Sequence, residues 1–79
     1  MVRLVKIKKF ETFIEAYYIP EDSNEEGYIK MRLADKEILE RRLTDHDGVM
    51  KSYFVHAKNG LKQIIDEGEV PETRLVMWY

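Results

Sequence analysis

Only one stretch of this chain carries a sustained helical period, and that limits the architecture more than any other feature. Between Asp47 and Glu67, in DGVMKSYFVHAKNGLKQIIDE, the residues Met50, Phe54, Ala57, Leu61, Ile64 and Ile65 recur at helical spacing. At about 100° per residue they fall within a stripe roughly 60–100° wide. Tyr53 flanks the stripe, and His56, Asn59, Gln63 and Glu67 lie opposite. The spacing predicts one amphipathic helix over about residues 48–67, with a dry face and a wet face. Thr44, Asp45 and Asp47 are N-cap types at its entry. Gly68 suits a left-handed residue past the last turn, and Pro71 bars a return to helix.

Two features oppose this helix. Gly60 costs about 1 kcal/mol relative to Ala in a helix interior. Asn59-Gly60 is also a two-residue hairpin signal that would pair Tyr53–Lys58 with Leu61–Asp66. The helix is preferred because the stripe runs through Asn-Gly without a phase break. The hairpin would instead gather Phe54, His56 and Lys58 on one face, which makes no dry surface. Lys51 and Lys58 near the start and Asp66 and Glu67 at the end oppose the helix dipole. Such a helix needs packing against a sheet to persist.

The remaining segments supply that sheet. Residues 2–19 are β-rich, but the apolar alternation changes parity: Val5 and Ile7 are odd, whereas Phe10, Thr12, Ile14, Ala16 and Tyr18 are even. Something near Lys8-Lys9 must reset the register. No Gly, Asn or Pro lies there, so one long bulged strand is preferred over a hairpin. Pro20 to Gly27 is an acidic connection whose spacing does not fit the twelve-residue calcium loop. Strands follow at Tyr28–Ala34 and Ile38–Leu43. A three-residue loop at Asp35-Lys36-Glu37 would set Leu33 opposite Leu39, Ile29 opposite Leu43 and Arg32 opposite Glu40. That loop is expected to combine a type I turn with a bulge and a non-Gly residue in the left-handed region. The final run, Arg74 to Tyr79, is apolar on both faces and reads as a strand inside the sheet.

The expected fold class is α+β: a two-layer domain with an antiparallel β-sheet of about four strands, in the order β-β-β-α-β, packed on one helix. The last strand is expected beside the first and parallel to it. With 79 residues the chain makes one domain with a modest core. It has no Cys, hence no disulfide or thiolate metal site. No apolar run is long enough to span a membrane. The start, MVRLVKIKKF, lacks the uninterrupted apolar core of a signal peptide, so a cytoplasmic location is expected.

The layout of three strands, a helix and a strand resembles that of HicB-type antitoxins. The points in common are Gly27-Tyr28 entering a strand and Val70-Pro71 after the helix. The Pro-Asp-Leu-Pro-Gly stretch and the Thr-x-x-Glu-Ala helix start of that family are missing. The resemblance implies a regulatory domain.

Catalytic chemistry has little to stand on. Ser23 and Ser52 lack the context of an activated nucleophile, and His46 and His56 have no partner set by spacing. His46 between Asp45 and Asp47 is a poor metal corner without a second His. The expectation is no enzyme, no cofactor and no metal. A net charge of −2 argues against a general nucleic-acid binder but leaves room for a local basic patch. Tyr28, Lys30 and Arg32 share one strand face, and Arg42 joins them in the expected register. Aromatics interleaved with cations on an open sheet can stack bases. One helix covers only one sheet face, so the other face exposes part of the set Tyr17, Tyr18, Tyr28, Trp78 and Tyr79. Aromatics with Arg are common interface anchors. The candidate binding residues are therefore Tyr28, Lys30, Arg32, Arg42, Trp78 and Tyr79. The expected role is a small protein-binding or accessory domain, most simply a homodimer. The alternative is a nucleic-acid-binding or antitoxin-like regulatory domain using Tyr28, Lys30, Arg32 and Arg42.

Overall fold

A computed structural model describes residues 1–20, 24–44 and 52–76. The elements are β1 (Val2–Lys9), β2 (Phe13–Pro20), β3 (Gly27–Arg32), β4 (Ile38–Arg42), α1 (Ser52–Glu67) and β5 (Arg74–Val76). The strands form one antiparallel sheet in the order β4-β3-β2-β1-β5, and α1 lies against the β1, β2 and β5 side. The class is the expected two-layer α+β fold.

The sheet has five strands because residues 2–19 form a hairpin rather than one bulged strand. The chain reverses at Glu11-Thr12, where the Phe10 N–H donates to the Phe13 carbonyl at 2.7 Å. The Phe10 and Phe13 rings stack across the turn with centroids 4.6 Å apart. Aromatic packing thus does what a turn-forming Gly or Asn does elsewhere. The expected bulge is present as well, inside β1. Pairing with β2 slips by one residue between Val5 and Lys8, and Lys6 sits at φ 52°. Val2 and Leu4 point inward before the bulge and Ile7 after it. The bulge moves the inward set from even (Val2, Leu4) to odd (Ile7), so Val5 and Ile7 face opposite sides rather than one, and the turn returns the set to even at Ile14.

The extra strand also reverses the last one. β5 lies beside β1, as expected, but at the edge of the sheet rather than inside it, with Leu75 exposed, and it runs antiparallel to β1, with Val2 opposite Val76 and Leu4 opposite Arg74. One added reversal before the helix inverts every later direction. Residues 77–79 of the expected final strand lie outside the described residues.

The β3–β4 register differs from the expected one. Tyr28 pairs with Arg42, Ile29 with Arg41 and Lys30 with Glu40, and a bulge brings Met31 opposite Ile38. The connection is five residues, 33–37, closed by the Arg32 N–H donating to Glu37 O at 2.8 Å and the Lys36 N–H donating to Arg32 O at 2.9 Å. The expected left-handed non-Gly residue is Lys36, at φ 59°. Arg32 meets Asp35 and Glu37 instead of Glu40, at 3.1 and 3.2 Å. In this register Arg32 makes two ion pairs and Ile38 packs against the core, while Leu39 is left exposed.

The helix follows the expected stripe. Phe54, Ala57, Leu61 and Ile64 are buried with Val2, Leu4, Ile7, Ile14, Ala16, Tyr18, Ile29 and Met31, while Asn59, Gln63 and Glu67 are exposed. Met50 and the expected capping candidates Asp45 and Asp47 lie outside the described residues. Gly68 closes the helix at φ 83°, its N–H donating to Ile64 O. The acidic end is offset from other elements: Lys36 pairs with Asp66, and Arg74 grips Glu67 with two bonds of 2.8 and 2.9 Å. Gly60 has a packing reason as well. A Cβ there would stand 2.6 Å from Val76 Cγ2, so this glycine lets the helix approach β5.

Candidate functional site

The helix covers one face of the sheet, and the other face carries the candidate site. Cross-strand partners point to the same side, so the register defines this surface row by row. One row reads Lys8, Glu15, Lys30, Glu40 across β1, β2, β3 and β4. The next reads Val5, Tyr17, Tyr28, Arg42 across the same four strands. Beyond it come Leu75, Arg3 and Ile19 across β5, β1 and β2. On the other side of the charged row, Phe13 stands opposite Arg32.

Alternation along β2 produces these rows. In FIEAYYIP, Ile14, Ala16, Tyr18 and Pro20 are buried under the helix, while Phe13, Glu15, Tyr17 and Ile19 are half-buried on the other face. Tyr18 is fully buried, edge-on to Phe54 with ring centroids 6.2 Å apart. It is therefore core and does not join the exposed aromatics. Its ring overlies Gly27, where any Cβ would come within 2.2 Å of it. That close approach explains a glycine at the start of β3.

Tyr17 and Tyr28 form the centre of the open face, with ring centroids 5.1 Å apart and planes tilted by 56°. Lys6, lifted by the bulge, places its Nζ 5.1 Å from the Tyr17 centroid and 3.2 Å from a Glu26 carboxylate oxygen. Lys30 sits over the Phe13 ring at 4.5 Å. Such cation–π contacts hold the cations and rings as one surface. Burial is the main reason the Tyr28 phenol is held above its ordinary pKa; the Glu15 and Glu40 carboxylates and Tyr17 add to it. Tyr28 is thus a neutral hydroxyl at physiological pH, an aromatic body with a polar tip.

Of the candidate residues, Tyr28, Lys30 and Arg42 come together on this face, and Arg42 also donates to the Glu26 carbonyl at 3.3 Å. Arg32 belongs to the same strand face, but its guanidinium turns to Asp35 and Glu37 at the hairpin end. Trp78 and Tyr79 lie outside the described residues. Sequence reasoning left out of the site Val5, Lys6, Lys8, Phe13, Glu15 and Glu40, and it named Tyr17 only within the aromatic set of which the open face exposes part. The signal for Phe13, Glu15 and Tyr17 was the odd-numbered set of β2, legible only once residues 2–19 are split into two strands.

Among the described residues, no group of three or more His, Asp or Glu could hold a metal ion, and no helix is long and apolar enough to cross a membrane. His46 lies outside the described residues. No protein-family model, curated protein or solved structure matches this chain.

Proposed function

We propose that this domain is a non-enzymatic protein-binding or accessory module that works through the uncovered face of its sheet. The observation that carries this is the Tyr17–Tyr28 pair, set between Val5 and Arg42 on the face opposite the helix. Half-buried aromatics with a neighbouring Arg suit the centre of a protein interface, where ring area is desolvated at low entropic cost. Tyr28→Ala removes the ring from the surface and leaves the buried face of β3 intact. Tagged wild-type protein should retain a protein partner, or a second copy of itself, that Tyr28→Ala protein loses while keeping its circular dichroism and unfolding midpoint. Equal retention by both proteins contradicts the proposal.

A nucleic-acid or antitoxin-like regulatory role is the second reading, favoured by the cations Lys30, Arg32 and Arg42 beside Tyr28. Against it stand Glu15 and Glu40 on either side of Lys30, and Asp35 and Glu37 on Arg32. These carboxylates lower the positive potential that phosphates require. Oligonucleotide binding that weakens steeply with salt and is lost in Lys30→Ala would favour this second role.

A further inference from the structure

The charged row has a symmetry that points to one occupant. Lys8, Glu15, Lys30 and Glu40 are consecutive across four strands, so the signs run plus, minus, plus, minus. A row of even length with alternating signs is self-complementary under one two-fold rotation only. Let two copies meet face to face about an axis parallel to the strands, passing between β2 and β3. The first residue of the row then faces the fourth, and the second faces the third. Lys8 meets Glu40 of the other copy, and Glu15 meets Lys30, each twice. An axis along the row would instead set every residue against its own like charge.

The flanking rows obey the same operation. Val5, Tyr17, Tyr28 and Arg42 set Tyr17 against Tyr28 of the other copy, and Val5 against the stem of Arg42. Phe13 comes opposite the Arg32 position of the other copy. The axis keeps the strands of the two sheets roughly aligned, as in stacked β-sheets. An isologous contact of this kind closes on itself at two subunits. We infer that the uncovered face pairs with a second copy of this chain about this axis, in the register Lys8 to Glu40 and Glu15 to Lys30. This inference rests on the protein-binding role proposed for the face and names its partner.

The test is a charge exchange read by sedimentation velocity over a concentration series. Lys30→Glu alone places Glu15 against a new carboxylate twice per dimer, and Glu15→Lys alone places two lysines together twice. Each variant should self-associate about a hundredfold more weakly than wild type, or not at all. Mixed in equal amounts they should form a dimer, because every facing pair is then opposite in sign. Wild-type dimers that weaken in each variant and reappear in the mixture support the assignment. A wild-type monomer at every concentration overturns it, as do variants that dimerise like wild type or a mixture that stays monomeric. The broader role stands or falls separately: a monomer that still holds a Tyr28-dependent protein partner removes only the self-pairing, whereas a monomer with no such partner removes both. Unfolding midpoints of both variants check that each is folded.

Discussion

Gly60→Ala gives the sharpest test of how the helix seats on the sheet. In an exposed helix this change stabilises by about 1 kcal/mol, because glycine carries more backbone freedom in the unfolded chain. Here the new methyl would lie 2.6 Å from Val76 Cγ2 and 3.4 Å from Leu4 Cδ1. Carbon atoms rest at about 3.5–4.0 Å, so β5 or the helix must move by about 1 Å. Val76 is stiff at χ1 and cannot swing away cheaply. Overpacking of this kind costs about 1–3 kcal/mol, which cancels or exceeds the gain in propensity. The substitution should therefore be neutral or destabilise by up to about 2 kcal/mol. Val76→Ala removes the clashing methyl, and Val76 Cβ is 3.7 Å from the new atom, an ordinary contact. In that background Gly60→Ala should stabilise by about 1 kcal/mol. Urea unfolding of the four proteins completes the cycle, with a coupling of about 1–3 kcal/mol expected. If Gly60→Ala stabilises equally in both backgrounds, β5 does not press on the helix at Val76, and the placement of the last strand is wrong.

Other outcomes follow from the same geometry. Leu61→Ala should cost about 2–5 kcal/mol by chemical denaturation, since the side chain is fully buried, whereas Gln63→Ala on the wet face should stay within about 0.5 kcal/mol. Equal effects would reverse the assignment of the helix faces. The Glu67 carboxyl lies below its ordinary range because Arg74 bonds it, and Asp35 lies below because the Glu37 N–H and Arg32 hold its charged form. A carboxylate with a lowered folded pKa contributes stability above its unfolded value and loses it as pH falls through the folded one. Thermal midpoints should thus decline on acidification through and below the ordinary carboxylate range, and Glu67→Gln should flatten part of that decline. Tyr28 has the opposite sign. Its raised pKa gives stability that is full below the ordinary tyrosine value and lost as pH rises through the folded one. Tyr28→Phe should shrink the alkaline loss, and an unchanged alkaline limb would contradict the burial of that phenol.

Much of the fold was legible because its signals are periodic. The stripe through Phe54, Ala57, Leu61 and Ile64 predicted the helix and its buried face, and Gly68 predicted the end. The parity change in residues 2–19 was visible, but its cause was not. The bulge at Lys6 shifts the inward set from even to odd and the turn at Glu11-Thr12 shifts it back, so Val5 and Ile7 read in sequence as one face although they lie on opposite ones. The β3–β4 register was misjudged because apolar matching was weighed above loop chemistry. The pairs of Arg32 with Asp35 and Glu37 act within the hairpin end and favour a longer loop. Gly60 counted against the helix in sequence and supports its packing in space, since its neighbour Val76 is sixteen residues away. The site was half legible for the same reason. Tyr28 and Lys30 lie on a strand found in sequence, while Tyr17 and Glu15 depend on a strand boundary that was missed.

The central claim is that the uncovered sheet face binds protein. Amide chemical-shift mapping tests it most directly, on the isotope-labelled domain across its own concentration series and, if it stays monomeric, with the protein it retains. The account predicts that shifts centre on Val5, Glu15, Tyr17, Tyr28, Lys30 and Arg42, with the exposed side of the helix at Asn59 and Gln63 unmoved. Shifts confined to the helix, or to the β4 edge at Leu39, would contradict it.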